Sequence, residues 1–395
     1  MWFANFFVAA SATMVMPFLP LYIETFGNYS DAYVQKWAGF IFGVTFLVAF
    51  FVSPLWGRFG DRYGRKKILV TTSAGIATSI FLMGYVHSVE QLFLLRLFMG
   101  FVTGFIPTSL AFISAQTPKK IAGKTLGTLQ TGTVSGSLLG PIIGGALADS
   151  VGFTYTFILT SSVILFASVL VLFGTKEVVV EKNHKQQPEE NYSMKQVLRH
   201  VFSKPVLVTV MSIAMLIQIA NFSIQPILSL YVTQLNRAEN IAFLAGIVFS
   251  ITGLGNLLAT RKWGKLGDRI GHEKILLVLL ILAAVFFIPQ GFVTNLWQLV
   301  ILRFLFGIQL GGLIPCMTAY IRQAVPLSIQ GEVLGYNVSL RFLGNVIGPV
   351  LGGILSGIAG ISSVFFITGT LFIIGAGLLF TALKAAPKLK ETADY

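Results

Sequence analysis

Charge is what this sequence has least of. Only 11% of its 395 residues are Asp, Glu, Lys or Arg, against 55% hydrophobic, and the mean hydropathy is +0.80. A soluble domain carries about a quarter charged residues, so a water-facing fold is excluded and the chain is assigned to a lipid bilayer. Cysteine occurs once, at Cys316, which excludes an intramolecular disulfide and any cysteine-based metal cluster and leaves a small apolar packing residue. Histidine is nearly as scarce: His87, His184, His200 and His272 fall at the ends of apolar runs or in a polar connector. There is no nucleotide-binding glycine loop and no metal-ligand cluster, so neither an enzyme nor a cofactor nor a bound metal is expected.

Apolar runs dominate what remains. A spanning helix needs about 20 apolar residues, and twelve such runs are present, roughly 2–23, 37–56, 68–87, 91–114, 124–147, 153–174, 205–232, 241–260, 275–294, 298–321, 332–356 and 361–382. The net charge of +13 is not a nucleic-acid signal, because position accounts for it. With both termini cytoplasmic, 23 of the 28 Lys and Arg fall on the cytoplasmic side; Lys36 and Arg237 fall outside, and Arg96, Arg303 and Arg341 within spans. That is the positive-inside asymmetry. The first run starts almost at Met1 without a basic flank, as an internal or late start would, and no small-residue cleavage site marks it as a signal peptide.

The runs form two similar sets. Gly57-Arg-Phe-Gly60-Asp61-Arg62-Tyr-Gly64-Arg65-Lys66-Lys67 is nearly copied 207 residues later as Gly264-Lys-Leu-Gly267-Asp268-Arg269-Ile-Gly271-His272-Glu273-Lys274, and the preceding Trp56 repeats as Trp263. Met16-Pro17-Phe-Leu-Pro-Leu-Tyr22 echoes Gln225-Pro226-Ile-Leu-Ser-Leu-Tyr231. Arg96, Gly100 and Gly104 match Arg303, Gly307 and Gly311, while Gly136, Gly140, Pro141, Gly144 and Gly145 match Gly344, Gly348, Pro349, Gly352 and Gly353. Parallel repeats in a membrane chain are a transporter architecture. The expected fold is an all-α polytopic membrane protein, twelve transmembrane helices in two six-helix pseudo-symmetric bundles. The bundles are 1–175 and 205–383, joined by a cytoplasmic linker at 176–204 whose stretch Ser193 to Arg199 fits a short interfacial helix, and followed by a tail at 384–395.

At the charged turns glycine permits positive φ, and Asp61 and Asp268 are placed to accept from a helix N-terminus or to pair with arginine. Such a contact forms in one state and breaks in another; the alternative is that these charges only anchor the turn in the cytoplasm. An arginine near the bilayer centre costs roughly 3 kcal/mol, so Arg96, Arg303 and above all Arg341 are expected to face protein or water, with snorkelling as the alternative for the first two. The glycine ladders are close-packing surfaces, and a proline beside them predicts a kink. Polar groups for a central cavity are few: Asn5, Gln130, Gln218, Asn221, Gln225, Gln309, Asn337, Arg341 and Asn345, amid 35 phenylalanines. That balance suits lipophilic substrates better than sugars.

These motifs together resemble the major facilitator superfamily, and within it the drug:proton antiporter branch and its MdtG/PmrA-type efflux group, over nearly the whole chain. The resemblance implies a multi-pass protein of a bacterial cytoplasmic membrane that exports lipophilic drugs in exchange for protons by alternating access, working as a monomer. It implies a cytoplasmic latch of Gly57, Gly60, Asp61, Arg62, Gly64, Arg65 and Lys66 with Gly264, Gly267, Asp268, Arg269 and Gly271. It also implies an antiporter motif of Gly136, Gly140, Pro141, Gly144 and Gly145, and proton coupling through Arg96, with Glu24 and Asp61 as further candidates. This sequence departs from the pattern in two ways: no carboxylate lies deep in the first half, the nearest acids being Glu24, Asp149 and Glu332, and His272-Glu273 replaces the usual basic pair. Export of one metabolite or organic anion, and lipid flipping on the same fold, stay open.

Overall fold

Four glycines with positive φ turn the chain between long helices: Gly64 at 98°, Gly152 at 83°, Gly271 at 104° and Gly360 at 82°. They fall at matching places in the two halves, so the repeat read in the sequence is a repeat of backbone geometry. The computed structural model describes residues 1–118, 121–177, 194–236 and 238–385.

The first half comprises α1 (Trp2–Met14), α2 (Leu19–Glu24), α3 (Asp31–Tyr63), α4 (Arg65–Met83), α5 (Val89–Val102), α6 (Phe105–Gln116), α7 (Ala122–Val151) and α8 (Phe153–Gly174). After the short α9 (Met194–Phe202) the second half comprises α10 (Pro205–Ser223), α11 (Leu228–Leu235), α12 (Ile241–Ile270), α13 (His272–Phe287), α14 (Leu296–Ala324), α15 (Leu327–Ala359) and α16 (Ile361–Ala385). Among the described residues, eleven helical stretches are long and apolar enough to cross a membrane, counting α5 with α6 and α10 with α11 as one each. The remaining expected span is split: α1 ends at Met14, ahead of Pro17, which has no N–H for a helix interior, and α2 resumes two residues beyond it.

Two further boundaries differ from the sequence reading. The charged stretch from Gly57 is not a loop: α3 continues through it to Tyr63, and only Gly64 leaves the helix. Charged side chains do not break a helix; glycine at positive φ does. The fourth span breaks at Thr103–Gly104, where the Trp56 ring lies against Gly104. The expected kinks at Pro141 and Pro349 leave α7 and α15 unbroken as helices. The expected interfacial helix is present as α9, burying Val197 and Val201. Most of the expected linker, 178–193, and 386–395 of the tail lie outside the described residues.

Equivalent hydrogen bonds hold each half. The Tyr22 hydroxyl donates to the Met83 carbonyl at 2.9 Å, and Tyr231 to Gln290 at 2.7 Å. Trp56 Nε1 donates to the Phe101 carbonyl at 2.7 Å, and Trp263 Nε1 to Ile308 at 2.9 Å. Each such bond satisfies a backbone carbonyl at a helix break or a close crossing, where hydrocarbon offers no alternative partner.

Candidate functional site

Small residues set where the two bundles meet. In α7 the glycines at 136, 140 and 144 face α1: a methyl at Gly136 would collide with the Phe6 carbonyl, at Gly140 with Ala10 and at Gly144 with Met14. In α15 Gly344, Gly348 and Gly352 meet Met215, Ile219 and Ser223 of α10 in the same way. The second glycine of each doublet points elsewhere. Gly145 abuts Ala242 of α12, and Gly353 abuts Gln35 and Gly39 of α3, both in the opposite bundle. Gly246 against Pro141, and Gly39 against Pro349, complete two seams, α7 with α12 and α3 with α15. Backbones this close maximise dispersion contact where no hydrophobic drive exists.

Both seams occupy the helix ends remote from the charged turns. Toward the turns, Gly57, Gly123, Gly127, Gly264, Gly331 and Gly335 have no atom within 4 Å of a Cβ position. The bundles therefore close on each other at one end and part at the other.

At the first charged turn, Asp61 Oδ1 accepts from Arg65 Nη2 at 2.8 Å and from Nε at 3.2 Å. Arg65 also donates to the Ala111 carbonyl at 2.5 Å, tying the turn to α6. A cleft of about 140 Å³ opens here, between Gly57, Gly60 and Asp61 on one side and Pro107 and Ala111 on the other. Gly64 starts α4, whose first N–H groups are taken by Glu177: Arg65 N donates at 2.6 Å and Lys66 N at 3.3 Å, while Lys66 Nζ donates to the Thr175 carbonyl at 2.7 Å. A carboxylate there meets the positive end of the helix dipole. Glu177 was not singled out in the sequence, where it reads as the start of a polar connector. Arg62 and Arg269 are exposed, and Arg62 lies 5.2 Å from the Tyr63 ring centre.

The second turn is built differently. Asp268 faces His272 Nε2 at 3.2 Å, and His272 is buried at 3% exposure against Gly267. Glu273 folds back over Gly271. Among the described residues Asp61–Arg65 is the ion pair, and Asp268–His272 is a second contact of the same i, i+4 spacing between an acid and a nitrogen base.

The arginines within spans thus have no carboxylate partner. Arg96 is 5% exposed, with Nη1 3.9 Å from Met99 sulfur, its guanidinium 5.8 Å from the Phe42 ring centre, and Nε and Nη2 unpartnered. Arg303 is 3% exposed with Nε and Nη2 likewise unpartnered, and Arg341 is half-buried with Nε unpartnered. Of the other proton-coupling candidates, Glu24 is exposed at the closed end.

Of the expected cavity groups, Gln218 and Asn345 are brought together, Nε2 to Oδ1 at 2.8 Å. Asn337 and Arg341 precede Asn345 at four-residue steps on the same face of α15. Asn337 Oδ1, Gln225 Oε1 and Gln309 Oε1 are buried without a partner. Asn221 is half-buried, and Gln130 is exposed on α7. Asn5 is accounted for structurally, accepting from Ser109 at 2.7 Å and donating to Thr133 at 3.4 Å.

Comparison with known proteins agrees with this architecture. A family model described as Major Facilitator Superfamily matches residues 1–261 and 240–394. The chain is 60% identical over 385 residues to an uncharacterized MFS-type transporter, YuxJ, of Bacillus subtilis, covering 97% of each. It is 38% identical to the multidrug resistance protein MdtG of Citrobacter koseri, covering 97% of this chain and 94% of that one. Among solved structures it resembles a bacterial homolog of the human lysosomal transporter Spinster in an inward-facing, unoccupied conformation, with TM-score 0.78, 15% identity, and coverage of 97% and 95%. The nucleoside transporter NupG matches with TM-score 0.77 at 14% identity, covering 98% of each. At those identities the two structures speak to fold alone.

Proposed function

The chain belongs to the Major Facilitator Superfamily, and we propose that within it this protein exports lipophilic compounds in exchange for protons by alternating access. The observation that carries the reading is the pair of seams, shut at the end remote from the charged turns while the bundles part at the other. Taking the charged turns as cytoplasmic, from the positive-inside bias, makes this the inward-open state of a protein in a bacterial cytoplasmic membrane with both termini inside. The bundles are 1–175 and 205–383, linked by 176–204 and followed by the tail 384–395, and one chain carries the whole cycle.

In this reading Asp61, Arg62, Arg65 and Lys66, on the frame of Gly57, Gly60 and Gly64, form the cytoplasmic latch, its Asp61, Arg65 and Lys66 side chains bonded here within their own bundle because the other bundle has withdrawn. Gly264, Gly267, Asp268, Arg269 and Gly271 form a weaker copy, with histidine in place of arginine. Arg96 assists proton transfer, Gly145 with Pro141 supplies the α7 side of the sliding seam, and Gly136, Gly140 and Gly144 hold α7 against α1 within its own bundle. The likeness to MdtG, a protein named for multidrug resistance, supports drug-like substrates. Gln130, Gln218, Asn221, Gln225, Gln309, Asn337, Arg341 and Asn345 supply the sparse polar contacts.

A second reading, export of an organic anion, is favoured by Arg96, Arg303 and Arg341 having no acidic partner, since unbalanced positive charge attracts anions. Everted vesicles carrying a pH probe separate the two: uptake of several cationic or neutral dyes with proton release supports multidrug exchange, whereas transport confined to one anion replaces it.

A further inference from the structure

The α12 helix lacks a cap of its own. Its N-cap residue is Asn240, among the best capping side chains, and the Asn240 carbonyl already accepts the first helical bond from Leu244 N at 3.1 Å. Yet the exposed Asn240 side chain makes no capping bond to the helix, and its backbone sits at φ −102°, ψ 49° rather than in the extended region a capping residue adopts. The first-turn N–H groups are instead taken from the other bundle: Ala242 N donates to Asp149 Oδ1 at 3.2 Å and Phe243 N to Asp149 Oδ2 at 2.7 Å. Both lie in the seam where Gly145 meets Ala242.

Among the described residues the other seam has no such device. There α3 is the counterpart of α12 and caps itself, Ser30 accepting from Tyr33 N at 3.3 Å. The counterpart of Asp149 is Gly357, which faces the Ala32 carbonyl and the Lys36 side chain. A bond between bundles must break whenever the seam opens, and the N–H groups it releases cost free energy unless another acceptor is at hand.

We propose that α12 exchanges caps during the transport cycle, Asp149 holding its first turn while the seam is shut and Asn240 taking over when the bundles part. The carboxylate is the stronger acceptor at the positive end of the helix dipole, so the exchange favours the shut seam without making its opening prohibitive. Asp149 and Asn240 are thus positioning residues for the transport cycle, which rests on the alternating-access reading above.

The test uses the full chain in lipid nanodiscs, with Cys316 replaced by serine and spin labels at the exposed Tyr155 and Trp297 positions, one in each bundle at the closed end. Losing one cap shifts an equilibrium about five-fold. Asp149→Ala is expected to raise the long-distance, open population by about that factor. Asn240→Ala is expected to lower it, because only the open state loses a cap. Opposite shifts are what a purely structural role does not produce. Asp149→Asn, which keeps the shape and one acceptor oxygen, gives an intermediate shift and carries the test should the alanine variant not insert. Shifts of the same sign, or none, overturn the cap exchange. A wild-type distance distribution that stays single with and without a lipophilic dye overturns the alternating-access reading itself.

Discussion

A methyl group on Gly353 would stand 2.6 Å from the carbonyl oxygen of Gln35, a residue of the opposite bundle. Its repeat partner Gly145 makes the same approach to Ala242. The adjacent glycines, 352 and 144, pack inside their own bundles, so each doublet divides one motif between holding a bundle together and closing the gap between bundles.

Substituting Gly145 by valine is expected to leave insertion intact and to keep the α7–α12 seam from closing. Export falls by more than about ten-fold, the loss of one or two kcal/mol from the shut state being enough, and cysteines placed at that end become reactive from outside. The same valine at Gly144 instead lowers stability, by prising α7 from α1, as heat unfolding in detergent reports. Equal behaviour of the two variants contradicts the division.

Asp61→Asn removes the charge that Arg65 meets at 2.8 Å. The pair is half exposed, so little stability is lost, about 0–1 kcal/mol. On the proposed latch, export is nonetheless expected to stop, because the variant would not re-form that contact in the opposite state. Full protection of cells against a transported compound would show that Asp61 has no such part.

Arg96 is a buried guanidinium without a carboxylate, and such a charge lowers stability. Arg96→Met is therefore expected to raise the unfolding temperature, corresponding to roughly 1–4 kcal/mol, while proton-coupled transport is lost. A variant that unfolds earlier than wild type assigns Arg96 to structure.

Glu177→Ala leaves the α4 N–H groups of Arg65 and Lys66 without their acceptor. A loss of about 1 kcal/mol of stability is expected, larger than for Glu177→Gln, which keeps one oxygen acceptor. Heat unfolding of both variants measures the difference, and an unchanged midpoint in the alanine variant would dismiss the cap.

Much of this fold is legible in the sequence, because hydrocarbon forces helices and the 207- to 209-residue offsets align the halves residue by residue. The charged turns, the glycine ladders and the three span arginines were visible as types at positions. What was not visible depends on which neighbour a side chain meets. Gly144 and Gly145 are adjacent letters about 100° apart around a helix, and only packing assigns them to different bundles. The run from Gly57 to Lys67 looks like a loop by charge, yet one glycine ends the helix. Asp149 read as an acid at a span end; its partners are backbone N–H groups of another bundle, which carry no sequence mark.

The most direct test of the central claim is proton movement measured together with substrate movement through a protein that can be locked. Cysteines replace Gly43 and Val350, which touch across the α3–α15 seam, in a chain with Cys316 changed to serine, reconstituted in liposomes holding a pH-sensitive dye. Before oxidation, a lipophilic substrate and protons are expected to move in opposite directions; once the disulfide forms, both flows stop, and reduction restores both. Substrate flux that persists through the locked seam, or that proceeds with no accompanying proton flow, would contradict the account.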